Sequence, residues 1–134
     1  MSTSTVDITM QDGVADAYLS RPDDAARPGV LFIMDAYGLR PTVEEMVERI
    51  AGEDYVVLAP NTFYRGGRSP IVPPEDIRDP ERRSSLWERI RPLMAQLTPD
   101  VVASDGGAYL DYLGGVSAPG RVAITGYCMG GRLG

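Results

Sequence analysis

Histidine is absent from all 134 residues, and cysteine occurs once. A serine or cysteine nucleophile ordinarily needs an imidazole to take its proton and hand it to the leaving group. These residues alone therefore hold no complete nucleophile–histidine pair. A lone cysteine forms no intramolecular disulfide, which fits a reducing compartment. Without histidine beside it, it also supplies too few soft ligands for a catalytic metal site, so no metal is expected. No run approaches the ~20 apolar residues of a membrane span. Met1–Met10 lacks the basic start and apolar stretch of a signal peptide. A cytoplasmic protein with no membrane partner is the expectation. Concentrated positive charge is missing too: the net charge is −6, with arginines interleaved among Asp and Glu, which argues against a nucleic-acid partner. The oligomeric state is not legible.

What is present describes a globular chain. An apolar fraction of 43% with mixed charge is that of a folded domain rather than a disordered one. The length suits a single domain that buries roughly two-thirds of its unfolded surface.

Thr5–Met10 and Val14–Leu19 read as strands joined at Gln11-Asp12-Gly13, an N-terminal β-hairpin. Arg21–Gly29, with two prolines, reads as a loop. Val30–Met34 is a continuous apolar run, as in a strand buried on both faces of a parallel sheet. Thr42 and Glu45 have capping-box spacing, and Val43, Met46, Val47, Ile50 and Ala51 form one helical face that Gly52 can end. Tyr55–Ala59 is a second buried-type strand, so a βαβ unit with parallel strands is expected. Asn61–Pro80, rich in Pro, Gly and Arg, reads as a long loop, a feature usually functional or mobile. Asp79-Pro80 predicts a helix through Leu86, Trp87 and Ile90 that Pro92 breaks or kinks. Thr98-Pro99 predicts another, with Val102, Tyr109, Leu110 and Leu113 on one face and Gly114-Gly115 at its end. Val122–Thr125 is then a third buried strand.

That strand enters Gly126-Tyr127-Cys128-Met129-Gly130-Gly131. An apolar strand followed by G-x-C-x-G is the nucleophile-elbow pattern with cysteine in place of serine. The nucleophile sits on a strained strand-to-helix turn, and small residues two positions either side let neighbouring backbone approach. The amide after the nucleophile then faces the developing oxyanion, and the coming helix favours the thiolate. The bland alternative is an inert core cysteine. Position at the end of a strand after a βαβ unit, where open parallel sheets place their sites, favours the elbow.

With these residues in view, the chain resembles the dienelactone hydrolase family. Gly126–Gly131 is close to that family's signature turn. Val30–Leu39 is similar to its earlier strand and loop, Val56–Asn61 with Phe63-Tyr64 to the next, and Leu86-Trp87 to a helix further on. The resemblance implies an α/β-hydrolase fold, a mostly parallel sheet with the hairpin at its start, in which residues 1–134 form a single incomplete domain cut after the elbow. It implies hydrolysis of a small ester or lactone through a cysteine acyl-enzyme at Cys128, with the Met129 and Ala36 backbone amides as oxyanion hole. Asp35 falls where the family's founding type has a glutamate that meets the resting thiol; aspartate is one methylene shorter, and local hydrogen bonding is its other reading. Arg82 and Arg83 lie near a segment that supplies a carboxylate-binding arginine in some members, with solvated surface arginine as the alternative. Tyr37 and Tyr64 line a pocket or serve as amphipathic packing residues. The family's acid and histidine follow the elbow, so both are expected beyond Gly134, and residues 1–134 alone are expected to be inactive.

Three other readings compete. Thr125-Gly126-x-x-x-Gly130-Gly131 approaches a dinucleotide-binding glycine pattern, but several elements precede it and Arg132 stands where the last glycine would be. A Walker loop lacks its Gly-Lys-Ser/Thr ending. The third is a catalytically inactive homologue or interaction module that retains the sheet core, with a partner covering its strand edges.

Overall fold

A computed structural model describes residues 2–134, the Arg132 side chain aside. Strands β1 (Ser2–Met10) and β2 (Gly13–Arg21) form the expected hairpin, β1 starting earlier than predicted and β2 longer at both ends, registered Met10 against Gly13. Strands β3 (Gly29–Ile33), β4 (Val56–Pro60) and β5 (Ala123–Gly126) complete a five-stranded sheet of order β1-β2-β4-β3-β5. β4 and β5 both pair parallel to β3, and β2 pairs antiparallel to β4 and β1. One strand in five thus runs against the others, the expected α/β architecture with a mostly parallel sheet.

All five residues of β3 and of β4 are buried, because alternate side chains serve two cores. Val30, Phe32, Val57 and Ala59 join one apolar cluster; Leu31, Ile33, Val56 and Leu58 join another. A period of two with both faces covered produces the continuous apolar runs seen in the sequence. Fully burying each Val, Leu or Ile contributes roughly 1.5–3 kcal/mol, so these two strands anchor the fold.

Helix α1 (Pro41–Ala51) packs Val43, Val47 and Ala51 on the first cluster. Its start differs from expectation. Arg40 is the extended N-cap residue, no side chain caps the helix, and Pro41 opens it. Proline has its φ preset and lacks the N–H that would go unpaired there, so the helix begins one residue before Thr42, too early for Thr42 to cap it. Helix α2 (Pro74–Ile77) and a 3₁₀ turn at Tyr64–Gly66 break up the segment after β4. That segment is no free loop: Asn61, Thr62, Phe63, Tyr64, Ile71 and Val72 are buried. Asn61 Nδ2 donates to Asp16 Oδ1 (2.9 Å) and to the Gly67 carbonyl (2.9 Å), while Ser69 N donates to Asp16 Oδ2 (3.1 Å). A buried carboxylate on β2 therefore pins the chain 45 residues later.

Helix α3 (Pro80–Ala95) starts as expected, Asp79 accepting from Glu81 N at 3.0 Å, but it runs through Pro92. Pro92 lies in the last turn, where the carbonyl it leaves unpaired belongs to exposed Glu88 and can meet water. Helix α4 (Pro99–Gly114) is capped by Thr98 and buries Asp105, Tyr109 and Leu113, one stripe at four-residue spacing. Leu110, expected in that stripe, is 37% exposed. Strand β5 begins one residue later than expected, after Val122, and among the described residues it pairs with β3 alone, with Ile124 46% exposed. Helix α5 (Met129–Leu133) follows the turn at Cys128. Among the described residues no helix is long and apolar enough to cross a membrane.

Candidate active site

The turn between β5 and α5 is built by backbone contacts that exclude side chains. A Cβ on Gly126 would lie 2.5 Å from the Gly130 carbonyl carbon, and one on Gly130 would run into the Ile33 carbonyl and lie 2.7 Å from that of Met34. Neither collision can be relieved by rotating a side chain, so the glycines two before and two after Cys128 are steric requirements. They let the turn settle directly on the C-terminal end of β3.

Cys128 adopts φ 56° and ψ −117°. Among the described residues, Asp54 (φ 73°) is the other non-glycine with positive φ. Aspartate tolerates the left-handed well, whereas cysteine does not favour it, and such backbone conformations concentrate at functional sites. The thiol is exposed, while Met129 beside it is 4% exposed. Met129 packs in the cluster that holds Met34, Ala36 and Leu39. The ring of Tyr127 lies 5.8 Å from that of Phe32, which steadies the turn from the strand side.

The loop from Met34 to Arg40 carries the other candidates. Ala36 is 3% exposed, in the same cluster as Met129. Asp35 Oδ1 accepts from Tyr37 N (3.1 Å) and from Arg40 Nη1 (2.7 Å), and Oδ2 accepts from Arg40 Nη2 (2.9 Å). Among the described residues the Cys128 thiol is not a hydrogen-bond partner of this carboxylate. Tyr37 packs against Trp87 with centroids 5.8 Å apart and ring planes tilted by 54°, and the Arg40 guanidinium lies 5.7 Å from the centroid of the Tyr37 ring.

Arg82 and Arg83 are both used at the α2–α3 junction. Arg82, 67% exposed, pairs with Asp76 (3.1 Å) and Asp79 (3.6 Å), and Arg83 Nε donates to the Ile77 carbonyl (2.8 Å). The Asp76 hydrogen bond, then its charge, holds the Arg82 guanidinium above its ordinary value.

Tyr64 belongs to the second cluster, across the sheet from Ala36 and Met129. Its hydroxyl is 3.5 Å from Asp105 Oδ1. Burial first, then the Asp105 charge, raises the Tyr64 hydroxyl above its usual value. Arg65 clasps Asp105 at 2.7 and 3.0 Å, reaches Asp12 at 2.8 Å, and sits 4.5 Å over the Tyr64 ring. The Asp105 hydrogen bond is the largest influence holding Arg65 well above its usual value. Tyr109 is pushed upward mainly by burial and then by Asp105.

Sequence reasoning missed Arg40, Asp16 and Asp105, whose partners become visible only in three dimensions. A cavity of about 360 Å³ lies on the α4 face, lined by Leu31, Ile33, Asp105, Tyr109, Ile124 and Leu133 among others. Cys128 does not line it. Among the described residues no three His, Cys, Asp or Glu side chains gather to hold a metal ion.

Comparison with known proteins bears on the family and the fold. The sequence profile of the dienelactone hydrolase family matches residues 15–134. Carboxymethylenebutenolidase 1 of Cupriavidus pinatubonensis is 27% identical over 135 residues, covering 99% of this chain and 55% of that protein. Carboxymethylenebutenolidase of Pseudomonas putida is 24% identical over 137 residues, covering 99% and 54%. A crystal structure named "Putative Dienelactone Hydrolase", from Klebsiella pneumoniae, superposes with a TM-score of 0.75 at 24% identity, covering 98% of this chain and 52% of the other, a likeness of fold. The chain spans about half the length of the curated relatives it matches.

Proposed function

This chain belongs to the dienelactone hydrolase family, and we propose that the protein carrying it cleaves a small ester or lactone by acyl transfer to Cys128. The observation that carries the reading is the Cys128 backbone: a positive φ on a non-glycine residue, at the end of a parallel strand, between two glycines whose Cβ positions are occupied by neighbouring backbone.

In this reading the Cys128 thiolate attacks the carbonyl carbon and the C=O π pair moves onto oxygen. The backbone amides of Met129 and Ala36 receive that oxyanion; each such donor is typically worth about 3–4 kcal/mol of barrier. Collapse expels the alkoxide, protonated as it leaves, and forms a thioester. Water then attacks the thioester, and the carboxylate departs as the thiolate is restored. The proton carrier is proposed to be a histidine oriented by an acid, as in other nucleophile–base pairs. Residues 1–134 contain no histidine, so that carrier is placed outside them, and these residues alone are expected not to turn over. The reaction as written needs no cofactor. The substrate is a small molecule, and Tyr37 beside Trp87 supplies an aromatic surface on the loop that holds Ala36. Asp35, with both carboxylate oxygens on Arg40, is assigned a structural part in the loop rather than contact with the thiol.

The test uses the protein as its source makes it, incubated with p-nitrophenyl acetate and analysed by mass spectrometry. Acetylation confined to Cys128, followed by its hydrolysis, is the expected result. Hydrolysis that persists undiminished in Cys128→Ala would exclude this mechanism. A Cys128 inert to both ester and alkylating reagent would instead favour an inactive homologue that serves as an interaction module.

A further inference from the structure

We propose that Arg40 is a positioning residue for the acyl-transfer step: by clasping Asp35 it closes the loop that presents the Ala36 amide to the nucleophile turn. The inference rests on the assignment of Cys128 and Ala36 made above.

The loop from Met34 to Arg40 leaves β3 at the point where Gly130 of the turn bears on the carbonyls of Ile33 and Met34. One end of the loop is therefore fixed by the sheet and by the turn itself. The other end is Arg40, immediately before Pro41 opens α1. Arg40 does not use its side chain to cap that helix. Its guanidinium folds back over the loop, donating from Nη1 and Nη2 to the two carboxylate oxygens of Asp35 and from Nη1 again to the Gly38 carbonyl (2.8 Å). Asp35 in turn accepts from Tyr37 N, and Gly38 N donates to the Asp35 carbonyl (3.2 Å).

All of these bonds but the one from Arg40 to Gly38 join residues on either side of Ala36, so the orientation of the Ala36 peptide is set by the bracing around it. Both partners are largely shielded, with side-chain exposures of 14% for Arg40 and 26% for Asp35, so water competes poorly for the clasp. The two-point geometry needs the planar fork of arginine; an ammonium reaches the carboxylate as a point charge and leaves it free to rotate. None of these contacts runs to Cys128, which makes Arg40 a residue that acts through the loop.

A brace that orients an oxyanion donor has a kinetic signature that a general structural role lacks. Misplacing a donor by a fraction of an ångström weakens the transition state while leaving substrate binding nearly intact. Displacement at the saturated carbon of iodoacetamide places no negative charge on the carbonyl oxygen, so alkylation of Cys128 reads the thiol without the amide.

The experiment compares wild type, Arg40→Met, Arg40→Lys and Asp35→Asn in the protein as its source makes it. It measures kcat and KM for p-nitrophenyl acetate, the iodoacetamide rate at Cys128, and melting temperature. We expect Arg40→Met to lower kcat by about 10- to 100-fold with KM and alkylation each within about twofold of wild type. Arg40→Lys should recover part of the loss, and Asp35→Asn should reproduce the pattern if Arg40→Met folds poorly. Arg40→Met and Asp35→Asn variants that fold and keep kcat within about twofold would overturn the proposal, as would a parallel fall in kcat and alkylation. A wild-type protein that is alkylated but never acylated at Cys128 would overturn the hydrolase reading and this proposal together, and it would be recognised before any variant is made.

Discussion

Each face of the sheet carries an arginine that grips a carboxylate with both ends of its fork, but the two clasps do different work. On the α1 side Arg40 holds Asp35, five residues away along the chain, and shapes a single loop beside the Cys128 turn. On the α4 side Arg65 holds Asp105, forty residues away, and sews the segment after β4 to the helix before β5. The first is partly open, with Asp35 at 26% exposure; the second has Asp105 at 4%. A short-range pair at a loop can orient a backbone amide, whereas a long-range buried pair joins elements. Loss of the first should therefore register in catalysis, and loss of the second in stability.

Removing the proposed nucleophile should separate the two properties most sharply. Cys128→Ala is expected to abolish acyl-enzyme formation, a loss on the order of 10⁴-fold or more in kcat. Its unfolding free energy should stay within about 1 kcal/mol of wild type. Cys128→Gly should be equally inactive yet about 1 kcal/mol more stable, because glycine relieves the positive φ. Urea denaturation of both variants reads this directly, and a destabilised Cys128→Gly would show that the turn is not strained.

Gly130→Ala tests the contact between turn and sheet. The added methyl meets the carbonyls of Ile33 and Met34, which cannot rotate away, so a destabilisation of about 3 kcal/mol or more is expected. A smaller value would mean that the turn does not bear on β3 as described.

The clasps themselves are compared by Asp105→Asn and Asp35→Asn. The first leaves Arg65 shielded and short of its main partner and should remove about 3 kcal/mol of stability, as buried pairs do when one member is lost. Asp12, 53% exposed, offers Arg65 only partial compensation. The second should cost about 1 kcal/mol while lowering kcat. Equal stability losses in the two variants would erase the distinction drawn between them.

The smallest effect concerns Tyr109. Its hydroxyl is buried and has no hydrogen-bond partner among the described residues, and burial raises its ionisation above the ordinary value of 10.0. A group whose native value lies above its unfolded one contributes stability that is complete below the unfolded value and is lost as pH rises toward the native one. Stability should thus decline above about pH 10, by up to ~1.4 kcal/mol per pH unit for each such tyrosine. Tyr64 and Tyr18 are raised in the same direction, chiefly by burial. Tyr109→Phe is expected to be neutral or up to about 1 kcal/mol stabilising at pH 7 and to flatten the alkaline decline; thermal melts across pH 8–11 would reveal either result.

Much of this was legible along the chain, because the relevant physics is local. The continuous apolar runs that became β3 and β4, the Asp79-Pro80 and Thr98-Pro99 helix starts, the hairpin, and the glycine–cysteine–glycine turn all follow from residues within a few positions of one another. The misreadings have a common origin. Asn61–Pro80 has the composition of a loop, but a carboxylate on β2 anchors it. Asp105 has no polar face of its own; Arg65 makes its burial tolerable.

The amino-acid sequence by itself determined which segments are strands and helices, and that a thiol stands on a strand-to-helix turn, since side-chain periodicity, preset proline geometry and the steric freedom of glycine act over a few residues. Only the tertiary structure decided which charges meet, how the segment after β4 is anchored, and where the Ala36 amide is held, because those outcomes depend on contacts between residues far apart in the chain or folded back on one loop, and no local preference encodes them.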